Sequence, residues 1–329
     1  MLSPPRRQFL SLCGSALLAS ASPSVTSTQR FRIAELKLVS HAAIDADERG
    51  FVAGLAKAGY TVGHNLHIER FDAHGDAQKM AQMAQHIGQS RFDLIHTIST
   101  QPTQEVLRHV RYTPVVFSSV TDPVFANILP QTGLRQHEQP TNVTGISDQW
   151  PVDLQFHVYA SLVPRARTWG TLYNPEEANS VVHLERMQHA AHARGLELIA
   201  QQVNAASEVA QAARALASQV QAITITSDNT SSARLEELAT ICNAHRLPLF
   251  AGDIDSVEHG AAAAYGLNYF LVGYAAARKA ALILKGRSAR ELEWMRIEKF
   301  SLALNLKAAR MQGIELSDTV QARAHRVIR

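Results

Sequence analysis

Short polar side chains follow seven predicted strands of this chain, each near the residue where the strand ends. In an open parallel α/β sheet, ligands bind beyond the carboxyl ends of the strands. Turns are polar in any protein, but these ends carry almost no lysine or arginine. The pattern therefore predicts a site for a small polar molecule, with ordinary turns as the alternative. The residues at these ends are Ser40, His41, Thr100, Thr121, Asp122, Ser147, Asp148, Asn174, Asp228, Asn229 and Asp253.

Strand and helix patterns alternate over almost the whole chain, which is typical of parallel α/β sheets. Two stretches of similar content, 30–147 and 148–264, each predict a doubly wound lobe. The second stretch ends with a predicted helix over 256–264, and the tail adds two further pairs of strand and helix. Such a tail indicates that the chain returns to both lobes. Because binding sites favour the cleft between domains, we expect the polar strand ends to face such a cleft.

Composition and motifs exclude several classes of function. The chain has 329 residues, 46% of them hydrophobic and 19% charged, with a net charge of +3. We expect no nucleic-acid partner, because such a partner requires a basic patch or stripe. The sequence has no phosphate-binding loop, nucleophile elbow or dinucleotide-binding motif. His183, His189 and His192 lack a further ligand at zinc-type spacing, so we expect neither a metal nor a cofactor.

The first 22 residues have the pattern of an export signal. Arg6 and Arg7 precede a short, weakly hydrophobic run that ends in an Ala-Ser-Ala cleavage site, as in twin-arginine signals. Cys13 lacks the small residues of a lipoprotein signal, and the run is too short to span a bilayer. After cleavage Cys242 is the only cysteine, so no internal disulfide is possible. We expect a periplasmic protein exported by the twin-arginine route.

Several segments carry a resemblance to a known family. These are VTDPV at 120–124, NVTGISD at 142–148, YNPE at 173–176 with Asn179 and Ser180 behind it, and SDN at 227–229. In this order they resemble the ABC-transporter substrate-binding proteins that include tryptophan- and tyrosine-binding members. The resemblance implies a type I periplasmic-binding-protein fold, in which two α/β lobes are joined by a three-strand hinge. The implied first lobe is 30–147 plus about 265–296, and the second is 148–264 plus about 297–329.

The resemblance also implies a function. It predicts a receptor, not an enzyme, that captures an amino acid or similar solute, aromatic or branched by analogy, and hands it to an ABC permease in the inner membrane. We expect the receptor to be a monomer. Residue 40 is Ser where relatives often carry an acidic residue, which leaves the ligand's identity open. Two alternatives remain: a sensor that signals to a membrane protein, and an exported enzyme that uses an aspartate.

An amino acid suggests a role for each polar residue. Its carboxylate needs neutral donors, for which Thr100, Thr121, Ser147 and Ser180 are suited, and helix N-termini help. Its ammonium needs a carboxylate, with Asp228 the first candidate and Asp253 the second. Capping of the following helix is the alternative for Thr100, Asp228 and Asp253. A turn before Pro123 is the alternative for Thr121, and solvated helix surface is the alternative for Ser180. His41 and Asn179 are further ligand candidates, with solvated surface as their alternative. Candidate walls for the solute's side chain, or else core residues, are Trp150, Phe125 and Tyr265.

Overall fold

The computed structural model describes residue 1 and residues 30–130 and 142–329. The predicted export signal, and most of a polar loop predicted at 130–141, lie outside these ranges. Of the helices in the described part of the chain, none is long and apolar enough to cross a membrane.

The first half of the chain alternates strand and helix, as predicted. Buried runs of β-branched and aromatic residues form the central strands, and polar or glycine residues end the helices. Asp76 caps the second helix by accepting hydrogen bonds from the backbone N–H groups of Gln78 and Lys79. The elements are β1 (Phe31–Lys37), α1 (Ala42–Lys57), β2 (Leu66–Asp72), α2 (Ala77–Gln89), β3 (Leu94–Ile98), α3 (Thr100–His109), β4 (Val115–Ser118) and β5 (Val143–Ser147).

The second half repeats the alternation, and a tail follows it. The second half contains α4 (Val152–Leu162), β6 (Thr168–Tyr173), α5 (Ala178–His192), β7 (Glu197–Gln202), α6 (Val209–Ala217), β8 (Ala222–Thr224), α7 (Asn229–Ser232), α8 (Leu235–His245), β9 (Leu249–Asp253) and β10 (Ala263–Leu267). The tail contains α9 (Tyr269–Leu284), β11 (Met295–Arg296), β12 (Ser301–Asn305), α10 (Leu306–Met311), α11 (Asp318–Arg323) and β13 (Arg326–Ile328).

The strands form two sheets. One has the order β11-β5-β4-β3-β1-β2 and the other the order β13-β12-β10-β9-β8-β6-β7. All pairs are parallel except β10 with β12. The chain passes between the sheets three times: after β5, after β10 and after β11. We call each sheet with its helices a lobe. The prediction of two parallel α/β lobes is confirmed.

The tail helix α9 returns to the first lobe and packs against α1. The two backbones approach so closely that a Cβ on Gly273 would lie 1.9 Å from the carbonyl oxygen of Asp47. This approach needs glycine on α9, and it brings Tyr269, the first residue of α9, to the boundary between the lobes.

The prediction of a helix over 256–264 was wrong. A short 3₁₀ helix, Ile254–His259, ends at Gly260 with φ 101°, and the alanines that follow lead into strand β10. An alanine run favours a helix locally, but here it is buried between two neighbouring strands, where small residues fit. Strand pairing places Tyr265 and Leu267 in the second sheet.

The exact boundaries between the two lobes stay a prediction.

Candidate functional site

The carboxyl ends of the two sheets face each other across a narrow cleft. Between them lies an enclosed cavity of about 20 Å³, which has room for about one water molecule. A larger open pocket of about 760 Å³ adjoins it and shares His41, Ala43, Ser232 and Asp253 with it, and Ser40 also lines this pocket. The residues around the enclosed cavity are His41, Ala43, Ile44, Ser99, Ser119, Asp148, Trp150, Asn179, Ser227, Asn229, Ser232, Asp253 and Tyr269.

Side chains of the two lobes meet directly at this cavity. Asn229 of the second lobe donates a hydrogen bond through Nδ2 to Ser99 Oγ, 3.2 Å away, and its Oδ1 lies 3.4 Å from His41 Nε2. The hydroxyl oxygens of Thr121 and Ser227 are 3.3 Å apart. The cavity is therefore enclosed by polar contacts between lobes rather than by the interior of either lobe.

An ion pair also joins the lobes. Arg186 on α5 donates to Asp122, with 2.6 Å between Nη2 and Oδ2. Asp122 also accepts hydrogen bonds from the backbone N–H groups of Val124 and Phe125. The side chain of Asp122 thus orders its own turn and contacts the opposite lobe. It does not line the enclosed cavity.

Two serines of the first lobe adopt backbone conformations that favour glycine. Ser99 has φ 82° and ψ 171°, and Ser119 has φ 55°. Such conformations cost about 1–3 kcal/mol and concentrate at functional sites. Both serines use their hydroxyl groups, Ser99 towards Asn229 and Ser119 as a donor to the buried carboxylate of Asp47. Glycine would relieve the strain but would lose these hydrogen bonds.

Asp148 lies at the first crossing between the lobes and is buried. Its Oδ1 accepts from the Thr121 hydroxyl at 3.1 Å, and its Oδ2 accepts from the Tyr269 hydroxyl at 2.5 Å. Burial raises the pKa of Asp148, and the two hydroxyl donors oppose that rise. Tyr269 in turn accepts a hydrogen bond from the indole N–H of Trp150. This chain of contacts places two aromatic rings beside the carboxylate at one side of the cavity.

Asp253 and His41 lie at the opposite side of the cavity, where it meets the larger pocket. Asp253 caps the 3₁₀ helix and accepts from Ser256 through both backbone N–H and hydroxyl. Burial lowers the pKa of His41, and the nearby Asp253 carboxylate opposes this effect. At neutral pH we therefore expect an uncharged imidazole at this side of the cavity.

The structure places Asp228 away from the cavity. It caps α7 through Ser231 N–H at 2.5 Å, and it also accepts from the hydroxyls of Ser180 and Thr226. Burial, with the nearby Glu177 carboxylate as a smaller cause, raises the pKa of Asp228 to about 6. A contact between Asp228 and a solute stays a prediction, but its neighbours already occupy both carboxylate oxygens.

Other predicted residues support the loops rather than line the cavity. Ser147 donates to the carbonyl of Thr121 at 3.0 Å, and Ser180 accepts from the backbone N–H of Asn174. Asn174 donates to the Thr230 hydroxyl at 2.8 Å. Of the thirteen predicted site residues, five line the enclosed cavity: His41, Asp148, Asn179, Asn229 and Asp253.

Seven buried side-chain polar atoms have no hydrogen-bond partner among the described residues: Glu35 Oε1, Thr100 Oγ1, Gln101 Oε1, Asn179 Oδ1, His183 Nε2, Ser231 Oγ and Asp255 Oδ2. Of these residues, Asn179 lines the cavity, Thr100 follows the cavity residue Ser99, and the ring of His183 contacts that of Trp150. Buried polar groups are almost always paired, so each unpaired one needs an explanation, such as an ordered water, an ion or backbone strain. Burial lowers the pKa of His183 to about 3, so this imidazole is neutral. Its Nδ1 accepts from the Ser227 N–H, which leaves the proton on Nε2.

Sequence reasoning missed several cavity residues. Ser99 and Ser119 each belong to a pair of adjacent hydroxyl residues at a strand end, and that doubling is a signal that was available. Glu177, whose buried carboxylate accepts hydrogen bonds from two cavity asparagines, follows a proline turn without a distinctive motif. Tyr269 reaches the cavity because the tail returns to the first lobe. The pattern of the tail predicted that return, but not which side chain it would bring to the cavity.

The comparison with known families decides the identity of the fold and its general role. A model of the ABC transporter substrate binding protein family matches residues 32–328. The chain belongs to this family. It is a substrate-binding protein and not an enzyme. More distant solute-binding proteins of known structure share its fold, which is of the periplasmic type I kind.

Two relatives of this substrate-binding protein carry names that mention amino acids. A tyrosine-binding protein of Clostridioides difficile is 28% identical over 282 residues, covering 84% of this chain and 80% of that protein. The structure of an ABC domain from Streptococcus pneumonia in complex with L-Trp is 27% identical, with a TM-score of 0.84, and covers 91% of this chain and 100% of that one.

A third relative differs in shape. The ligand-free, open structure of a substrate-binding protein with adhesive properties from Clostridium difficile is also 27% identical and covers 91% of this chain and 99% of that one. Its TM-score is 0.66, lower than the 0.84 of the L-Trp complex. The present structure as a whole is therefore more similar to the L-Trp complex than to the open relative.

Proposed function

We propose that this protein captures an aromatic amino acid between its two lobes and delivers it to the permease of an ABC importer. The observation that carries the proposal is the unpaired amide oxygen of Asn179, a residue of the second lobe that lines the cavity. In the first lobe, Thr100 directly follows the cavity residue Ser99, and its buried hydroxyl is also unpaired. The carboxylate of a zwitterionic amino acid can accept a hydrogen bond from the Thr100 hydroxyl, and its ammonium can donate one to the Asn179 amide oxygen.

The carboxylate of the solute fits the first lobe. Helix α3 begins at Thr100, directly after strained Ser99, and no side chain caps it. The first backbone N–H groups of a helix have no partner within the helix, and its dipole favours an anion there. The buried Thr100 hydroxyl adds a donor at the same point. Neutral donors of this kind bind a carboxylate without a lysine or arginine.

The ammonium of the solute fits the second lobe. Asn179 Nδ2 donates to Glu177 Oε2 and to the Ser227 carbonyl, which leaves Oδ1 as an acceptor at the cavity. The carboxylates of Asp148 and Asp253 also line the cavity, and neither is in an ion pair with a lysine or arginine within the described residues. A cation entering the cavity would therefore be attracted by both acids.

The side chain of the solute is proposed to pack against aromatic walls. The rings of Trp150 and Tyr269 line the cavity together with Ile44. Aromatic side chains prefer such surroundings, and the named amino acids of the two relatives are both aromatic. These aromatic walls favour tyrosine or tryptophan over branched solutes.

Capture by this cavity requires the lobes to move. A cavity of about 20 Å³ does not admit an amino acid, so the lobes must separate for entry and close again around the solute. A solute drives closure only when it binds the closed state more tightly. The carboxylate in the first lobe and the ammonium in the second would supply that difference.

The setting of this activity is also proposed. Substrate-binding proteins of ABC importers act outside the cytoplasm. For this chain we propose the periplasm, export by the twin-arginine route, a monomeric state and an inner-membrane permease as partner. The two proposed lobes are 30–147 plus about 265–296 and 148–264 plus about 297–329, except that strand β10 (Ala263–Leu267) pairs within the second sheet and so belongs to the second lobe.

Isothermal titration of the purified mature protein with the twenty amino acids tests the proposal. We expect one-to-one binding of L-tyrosine or L-tryptophan, with the D-enantiomers as matched controls that bind more weakly. A ligand at one hundred times its dissociation constant should stabilise the fold by about 2.7 kcal/mol in a parallel thermal-shift assay. Failure of every amino acid to bind would remove the proposed substrate class.

A further inference from the structure

The carboxylate of Glu177 accepts a hydrogen bond from each of two cavity asparagines, Asn179 and Asn229, although Glu177 does not line the cavity itself. It is buried, with 1% of its surface exposed. The Glu177 carboxylate accepts from Asn179 Nδ2 at 3.2 Å and from Asn229 Nδ2 at 2.8 Å. The backbone N–H groups of Asn229 and Thr230 and the Thr230 hydroxyl also donate to it, at 2.9, 3.1 and 2.8 Å.

These hydrogen bonds determine which way each amide points. A carboxylate accepts hydrogen bonds and cannot donate them, so the NH₂ group of each asparagine must face Glu177. The oxygen of each amide is then turned away from it. Asn229 Oδ1 lies near His41 of the opposite lobe, and Asn179 Oδ1 has no partner within the described residues. Both oxygens are acceptors at the cleft.

The charge of Glu177 acts in the same direction. All five donors to it are neutral, and no lysine, arginine or histidine pairs with it in the described part of the chain. A buried carboxylate is costly without a cation. A solute ammonium at Asn179 would lie next to this charge and would partly compensate it.

We infer that Glu177 is the positioning residue that makes the cleft require an ammonium group on its solute. It acts through Asn179 and Asn229, whose amide oxygens it turns towards the cavity. The inference rests on the proposed function, because it concerns the solute that the cleft binds. Glu177 would thereby set the preference for amino acids over the corresponding acids that lack the amino group.

Two pairs of solutes measure this preference. L-tyrosine is compared with 3-(4-hydroxyphenyl)propionate and L-tryptophan with indole-3-propionate, which differ only by replacement of the amino group with hydrogen. In the wild-type protein we expect the amino acid of the better-bound pair to bind at least one hundredfold more tightly than its analogue. In Glu177→Gln we expect that ratio to fall at least tenfold, because a glutamine amide no longer orients both asparagines and carries no charge.

Glu176→Gln provides the matched control. It removes the same charge from the adjacent residue, which is exposed, and we expect it to leave the ratio unchanged. Asn179→Ser provides a second variant if Glu177→Gln does not fold, and its ratio should also fall at least tenfold. Circular dichroism and thermal unfolding establish that each variant is folded before titration.

The outcomes separate the two proposals. If the wild-type protein binds no amino acid, the proposed function fails. If it binds one and Glu177→Gln or Asn179→Ser weakens the amino acid and its analogue equally, the proposed function stands and the inference about Glu177 is overturned. An unchanged ratio in a folded Glu177→Gln variant, or an equal fall in Glu176→Gln, overturns it as well.

Discussion

The ion pair between Arg186 and Asp122 should contribute to closure of the lobes, and Arg186→Met tests this. Arg186 belongs to the second lobe and Asp122 to the first, so the pair as seen here depends on the arrangement of the lobes. Methionine keeps the length of the apolar stem and removes the charge. Arg194→Met is the matched control, because Arg194 contacts Asp153 within its own lobe.

The expected loss of binding in Arg186→Met depends on how exposed the ion pair is to solvent. The side chains of Arg186 and Asp122 are 29% and 23% exposed, so the pair is neither buried nor fully solvated. Exposed pairs contribute about 0.2–1 kcal/mol and charged hydrogen bonds about 1.5–3 kcal/mol, which suggests about 1 kcal/mol here. If the open state dominates without solute, the loss lowers the closed population and weakens apparent binding about fivefold.

Titration calorimetry at two salt concentrations measures this effect. In about 0.1 M salt we expect Arg186→Met to bind its amino acid two- to fivefold more weakly than wild type, roughly in line with 1 kcal/mol. In about 1 M salt the difference should shrink, because the Debye length falls to about 3 Å. An effect of equal size in Arg194→Met, or one independent of salt, would refute the reasoning.

Three further predictions concern single residues. Burial raises the pKa of the Asp47 carboxyl from 3.8 to about 7, and His96, Ser119 and Ser118 oppose this rise. Between pH 4 and 7 the folded state therefore keeps a proton that the unfolded state has lost. As the pH rises through this range, the free energy of unfolding should fall by about 1.4 kcal/mol per pH unit. Urea unfolding at pH 5 and pH 7 should show a smaller fall in Asp47→Asn, and identical falls would contradict the assignment. Ser99→Gly relieves strain but removes the hydroxyl that Asn229 contacts; we expect unchanged or slightly raised stability with weaker amino-acid binding, and tighter binding would contradict this. A Cβ at Gly252 would lie 1.9 Å from the Trp150 ring, so Gly252→Ala should displace that ring and weaken binding at least tenfold by calorimetry, whereas wild-type affinity would show that the ring is not a wall of the site.

The general location of the site could be predicted from the sequence. Parallel strands carry their carboxyl ends to one edge of a sheet, so the polar residues after β1 and β5 share the edge of one sheet and those after β8 lie at the edge of the other. The expectation of a cleft between two lobes then brings the two edges together. His41, Asp148 and Asn229 do meet at the cavity. The chain order alone was enough for this step, since it depends on the alternation of strand and helix.

The direction of each side chain was harder to predict. Asp228 and Asp253 both follow strands and both cap a helix, but only Asp253 also lines the cavity. Capping and ligand binding place the same residue types at the same position, and a rotation of the side chain decides between them. That rotation depends partly on Thr226, two residues away, and partly on Ser180, which lies 48 positions away in the sequence.

Residues supplied by the tail lay beyond prediction. Tyr269 donates to Asp148 across 121 positions of the chain. The contact exists because α9 packs on α1 through glycine positions that read as ordinary helix residues in the sequence. Contacts between distant parts of the chain also explain why the predicted helix at 256–264 does not form. There, burial of the alanines in the second sheet outweighs the local preference of alanine for a helix.

A crystal structure of the protein with its bound amino acid tests the central claim most directly. We expect a solute enclosed between the lobes, with its ammonium within hydrogen-bond distance of Asn179 Oδ1 and its carboxylate at Thr100 and the start of α3. A solute bound elsewhere would contradict it, for example in the pocket of about 600 Å³ lined by Arg296, Phe300 and the outer side of Trp150.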